Sequence, residues 1–112
     1  MGWDAYLHDD RGHQEGDWNY TFNTSRMVYA VLEDEGYEYE ERNWFSHLDG
    51  MTGAEGAEFL GMIIRGMEAD PDRFRALNPE NGWGDYDTFL KILKEMHHES
   101  LKEWPTVWSA SG

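Results

Sequence analysis

The residues best suited to chemistry crowd into the first quarter of the chain. His8, Asp9, Asp10, His13 and Asp17 bring imidazoles and carboxylates within a few positions of one another. That mixture suits Zn, Mn or Fe, with His8, His13 and Asp17 as the candidate ligands, although the spacing matches no recognised metal-binding pattern. Acid–base work is a second chemistry. If two N-terminal strands pair, Asp4, His8, Asp17 and Asn19 converge, and His8 lies among carboxylates as a general base. No nucleophile elbow, phosphate loop, Ser-His-Asp signature or zinc-protease helix accompanies them. Gly82-Trp83-Gly84 lacks the further Gly or Lys of a phosphate cradle. No cofactor motif is present, and no residue is assigned a catalytic role.

Recognition is the third chemistry. Asn19, Thr21 and Asn23 alternate with Trp18, Tyr20 and Phe22, the period of a half-buried strand. The amides and hydroxyl would share one face beside Tyr6, His8 and Trp83, and such groups between aromatic walls suit nucleobases and sugars. The plainer alternative is structural: Asn and Thr satisfy backbone groups where a strand meets a helix, and Trp83 fills the core. Consecutive His97 and His98 point about 100° apart on a helix and do not readily share one ion.

The elements that must hold these residues follow from patterning. Residues 3–8 and the run from Trp18 to Asn23 read as two antiparallel strands joined by a polar loop over 9–17. Asn23, Thr24 or Ser25 is placed to cap a helix running to Glu35, which Gly36 terminates. Residues 37–43 read as a loop, and Trp44, Phe45 and Leu48 as an apolar plug. Thr52-Gly-Ala-Glu55 fits a capping box, opening a helix with Phe59, Leu60, Ile63, Ile64 and Met67 inward. Asp70-Pro71 stops it and starts a short helix. A last helix capped by Asp85 or Asp87 would bury Tyr86, Phe89, Leu90, Leu93, Met96, His97 and Leu101. The expectation is α+β: a short N-terminal antiparallel pair packed on about three helices. Residues 1–104 would form one domain and 105–112 a mobile C-terminal tail, with Trp104 and Trp108 able to dock on the domain.

Composition narrows the function classes. The chain has 112 residues, 23 acidic against 9 basic, and a formal charge of −14. Such a balance disfavours a nucleic-acid backbone, which needs Lys and Arg to displace counterions, and it disfavours anionic membranes. Absent cysteine rules out disulfides and thiolate sites. No apolar run approaches the roughly 20 residues of a bilayer span. The opening Met1-Gly-Trp-Asp has no signal-peptide pattern, so a cytoplasmic protein is expected. The acidic surface is either a solvated coat or an array that occupies a basic partner. Segments 33–41 and 68–72 are the candidate contacts, with Glu38, Glu40 and Glu41 foremost.

Three segments carry a family likeness: Trp18-Asn-Tyr-Thr-Phe-Asn23, Met51-Thr-Gly-Ala-Glu55 and Asn78-Pro-Glu-Asn-Gly-Trp-Gly-Asp-Tyr-Asp87. Over most of residues 3–95 the chain resembles small uncharacterised bacteriophage proteins, especially of phages infecting actinobacteria. The resemblance implies a phage origin and an accessory role in the infected cell, counter-defence being one such role. It brings no catalytic residues. The first reading is therefore a non-enzymatic protein that binds and modulates a host protein with a basic surface. Sequestration of a small nucleotide-like ligand is the alternative, and a small metal-dependent or acid–base enzyme comes third.

Overall fold

The computed structural model describes residues 3–9, 11, 14–20, 24–38, 44–79, 84–102 and 106–111, with only the backbone for Trp3, Gln14, Glu15, Asp17, Asn19, Tyr20 and Ser111. The fold is α+β. Strand β1 (Trp3–Asp9) and strand β2 (Gln14–Tyr20) are antiparallel. Helices α1 (Ser25–Asp34), α2 (Gly53–Ala69), α3 (Pro71–Arg75) and α4 (Tyr86–Ser100) follow, with a 3-10 turn at Trp44–His47. Strand β3 (Thr106–Ser111) closes the chain. No helix among the described residues is long and apolar enough to cross a membrane.

Two expectations are corrected at the sheet. Residues 106–111 are not a tail: β3 pairs antiparallel with β1, giving the order β2-β1-β3. The reason is an alternation hidden in a short run. Thr106 and Trp108 are buried, whereas Val107 and Ser109 are exposed, so one edge of the strand faces the core as pleating requires. The loop expected over 9–17 is also shorter, because β2 begins at Gln14. A bulge allows this: His8 pairs with Gln14 and Leu7 with Gly16, leaving Glu15 as the extra residue.

The core lies between the helices and one face of the sheet. Ala5 and Leu7 of β1 and Trp108 of β3 are fully buried, with Met27, Val28, Leu32, Trp44, Leu60, Ile63, Phe89 and Leu93. Helix α2 runs along α4 and α1, and Gly66 lets α1 approach closely, since a Cβ there would sit 2.6 Å from Val31 Cγ1. The expected apolar plug is the 3-10 turn: Trp44 meets Phe89 edge-on at 6.2 Å. Leu101 departs from its expected inward place and is 60% exposed, because α4 ends at Ser100.

Trp108 anchors β3. Its indole N–H donates to Ser100 Oγ at 2.9 Å, and Ser100 donates to the Gly53 carbonyl at 2.5 Å. One chain of hydrogen bonds thus ties β3, the end of α4 and the start of α2. A Cβ on Gly56 would lie 2.4 Å from the indole nitrogen, so only glycine leaves room for this ring. The outer edge of β3 is closed as well. Trp108 N–H donates to the Met51 carbonyl at 2.8 Å, Gly50 N–H donates to the Trp108 carbonyl at 2.9 Å, and Ala110 N–H donates to Asp49 at 2.9 Å.

Helix ends follow the local chemistry. Thr52 and Glu55 form the capping box, each side chain accepting from the other's backbone N–H. Asp70 caps α3, and Asp85 caps α4 through Thr88 N–H at 2.8 Å. Helix α1 is the exception. Thr24 occupies the cap position, but with ψ near 3° its hydroxyl makes no cap bond, and Oγ1 is buried without a hydrogen-bond partner among the described residues. At the other end, Gly36 has φ +68°, Tyr37 N–H donates to Leu32 and Gly36 N–H to Glu33. That pair of bonds is a Schellman closure, which glycine's positive φ permits.

Candidate functional site

Strand pairing puts part of the expected polar constellation on one face of the sheet. Asp4 lies opposite Asn19, Tyr6 opposite Asp17, and His8 opposite Gln14. Directly opposed residues share a face, so these positions line the side away from the helices. From β3, Ser111, Ser109 and Val107 register with Asp4, Tyr6 and His8. Asp4, Tyr6 and His8 are half-buried, and the Tyr6 and His8 rings lie 6.2 Å apart. Val107 is 45% exposed. The β3 contribution was missed because 105–112 read as a tail; the Thr-Val-Trp-Ser-Ala-Ser alternation was its signal. Thr21, Asn23, Trp83 and His13 lie outside the described residues. Among the described residues, no group of three or more His, Asp or Glu side chains is placed to hold a metal ion.

The two acidic segments differ in how their charge is met. In the second, Glu68 pairs with Lys94 at 3.0 Å and Asp70 accepts from the Arg73 backbone. Asp72 lies near enough to Arg75 to raise that guanidinium's pKa further, the larger cause being the Arg75–Asp87 pair at 3.0 Å. In the first, Glu33, Asp34, Glu35 and Glu38 are all exposed, and the last turn of α1 has no basic residue. A helix C-terminus carries partial negative charge, so carboxylates there are unfavourably placed.

Among the described residues, Arg73 reaches this end. Two of its N–H groups donate to Asp34, at 2.6 and 3.3 Å. That hydrogen bonding holds the Asp34 carboxyl below its ordinary range, against desolvation and with a lesser contribution from the Arg73 charge. Arg73 is correspondingly raised, chiefly by Asp34, with Asp70 and Glu33 adding to it. One guanidinium therefore serves several carboxylates. Glu35 and Glu38 have no ion-pair partner among the described residues. Glu40 and Glu41 lie outside the described residues.

A third feature was not legible in the sequence. An open groove of about 500 Å³ runs along α4, lined among the described residues by Asp87, Leu90, Lys91, Lys94, Glu95, His98 and Glu99. Asp87, Lys91, Lys94, Glu95 and His98 of this lining are exposed. Their charges alternate, with Lys94 held by Glu68 and Glu99 by Lys102, so the groove presents no consistent field. Tyr86, buried at the start of α4, donates its hydroxyl to the Met67 carbonyl at 2.9 Å, and burial pushes that phenol up. Comparison with protein-family models, with curated proteins and with solved structures gives no match.

Proposed function

We propose that the chain is a non-enzymatic bacteriophage accessory protein that binds and modulates a host protein with a basic surface in the infected cell's cytoplasm. The observation that carries this reading is the surplus of carboxylates at the end of α1. Glu33, Glu35 and Glu38 sit exposed at the negative pole of a helix, and among the described residues the one neighbouring arginine is already engaged by Asp34. The helix dipole opposes that placement and Arg73 offsets it only at Asp34 and Glu33, whereas a cationic partner would neutralise it and be steered to it. The formal charge of −14 extends the same field over the molecule. The phage origin rests on the resemblance of the Asn-Thr-Asn, Met-Thr-Gly-Ala and Asn-Gly-Trp-Gly segments. Masking the basic surface of a defence protein is a form of modulation that this charge suits.

The test is neutralisation. Glu33→Gln, Glu35→Gln and Glu38→Gln together should weaken partner binding at least tenfold at low salt, and much less at high salt where the field is screened. Unchanged affinity at low salt would refute the contact. A second reading keeps one observation in its favour: Asn19 shares the outer sheet face with Tyr6 and His8. On that reading Tyr6→Ala and Asn19→Ala abolish binding of a nucleotide-like ligand while the fold persists. Retained binding in both variants would sink it.

A further inference from the structure

We propose that the edge of β2 away from β1, which no other strand among the described residues pairs with, takes up an extended, lysine- or arginine-bearing segment of the partner as a fourth strand. This inference rests on the basic-partner reading above. The sheet's two edges are treated differently. Beyond β3 the chain supplies its own closure, through Gly50 and Met51 backbone bonds to Trp108 and a bridge from Thr52 to Val107. Beyond β2, no strand among the described residues pairs with Gln14–Tyr20. Alternate residues of an edge strand direct N–H and C=O groups outward, where another chain can pair with them.

Charge decides which chain. Strand β2 reads Gln-Glu-Gly-Asp-Trp-Asn-Tyr, with two carboxylates and no Lys or Arg. Glu15 is the extra residue of the bulge, and Asp17 registers opposite Tyr6 on the outer face. A second copy of this chain would set the same acidic strand against itself, and like charges across a pair are destabilising; the whole molecule's −14 adds to that repulsion. An extended segment alternating basic with apolar residues brings a charge opposite to that of the β2 sequence while its backbone extends the ladder. That is strand addition, with main-chain bonds giving affinity and side chains giving choice. The bulge and the acids that keep copies of this protein apart thereby select a basic strand.

The probe is a blocked peptide of about ten residues alternating lysine and valine, with its glutamate–valine counterpart as control, added to isotope-labelled protein. The lysine peptide should slow amide exchange on the order of tenfold at alternate residues between Gln14 and Tyr20. Salt should weaken the effect, and the glutamate peptide should give none. Glu15→Lys with Asp17→Lys, shown folded by its amide spectrum, should reverse the preference between the two peptides. Perturbation confined to the end of α1 or to the α4 groove would overturn the inference, as would inertness of both peptides. So would β2 amides protected by self-association without peptide. If the lysine peptide leaves β2 unchanged while neutralising Glu33, Glu35 and Glu38 still releases the partner, strand addition fails and the basic-partner reading stands.

Discussion

The Trp108 junction and the end of α1 answer opposite demands. At the junction a large ring is removed from water, its N–H is handed to Ser100, and Gly56 of α2 clears the space it occupies. At the end of α1, carboxylates gather where a helix disfavours them, and among the described residues one arginine reaches them. The first region is organised for the fold. The second gathers charge that the helix dipole opposes, which on the proposed reading a basic partner completes. The contrast separates residues whose loss should unfold the protein from residues whose loss should leave it folded and disarmed.

Substitutions at the junction should have the largest effects. Trp108→Ala should lose about 3–5 kcal/mol of stability from the cavity and the lost burial, read as a shift in the urea midpoint with the slope preserved. Gly56→Ala should cost about 1–3 kcal/mol by forcing the ring off its seat, with a change in tryptophan emission marking the displacement. Ser100→Ala should cost about 1–3 kcal/mol, since it leaves the indole N–H and the Gly53 carbonyl buried without their shared partner. A Ser100→Ala variant as stable as the wild type would show that water completes those bonds.

At the other region the sign reverses. Glu33→Gln, Glu35→Gln and Glu38→Gln together should raise the melting temperature slightly, because each removes a charge opposed by the helix dipole. A clear fall would mean that these carboxylates already have stabilising partners. The smallest effect is the acid dependence of the two arginine pairs. Asp34 and Asp87 have folded pKa values below the ordinary 3.8, chiefly through hydrogen bonds from Arg73 and Arg75. Groups shifted down contribute stability that is fully present above the unfolded value and lost as pH falls through the folded one. Both pairs are on the surface, so the contribution is small. The stability gap between wild type and Asp34→Asn should hold constant from about pH 7 to about pH 5 and close below 3.8.

The helices were the most legible part of the sequence, because their signals are local. Thr52 and Glu55, Asp70 before Pro71, and Asp85 each announce a helix start through bonds spanning three residues. The sheet was half legible. Residues 3–8 alternate openly, but β3 depends on contacts with Met51, Gly53, Gly56 and Ser100, distant in the chain, and no local window contains them. The bulge at Glu15 likewise shifts the register without any sign in composition. Of the candidate site residues, Tyr6, His8 and Asn19 share a face by strand parity, which the sequence foretold. The contrast between segments 33–38 and 68–72 was invisible beforehand, since both are acidic runs. Only the positions of Lys94, Arg73 and Arg75 show which charges are already matched.

The most direct measurement is native mass spectrometry of the wild type and the Glu33→Gln, Glu35→Gln, Glu38→Gln variant, each isolated gently from infected cells and each confirmed folded. A stoichiometric host protein on the wild type, absent from the variant, is the predicted result. A bare wild-type chain, an added mass of a small ligand instead of a protein, or a partner kept equally by both forms would contradict it.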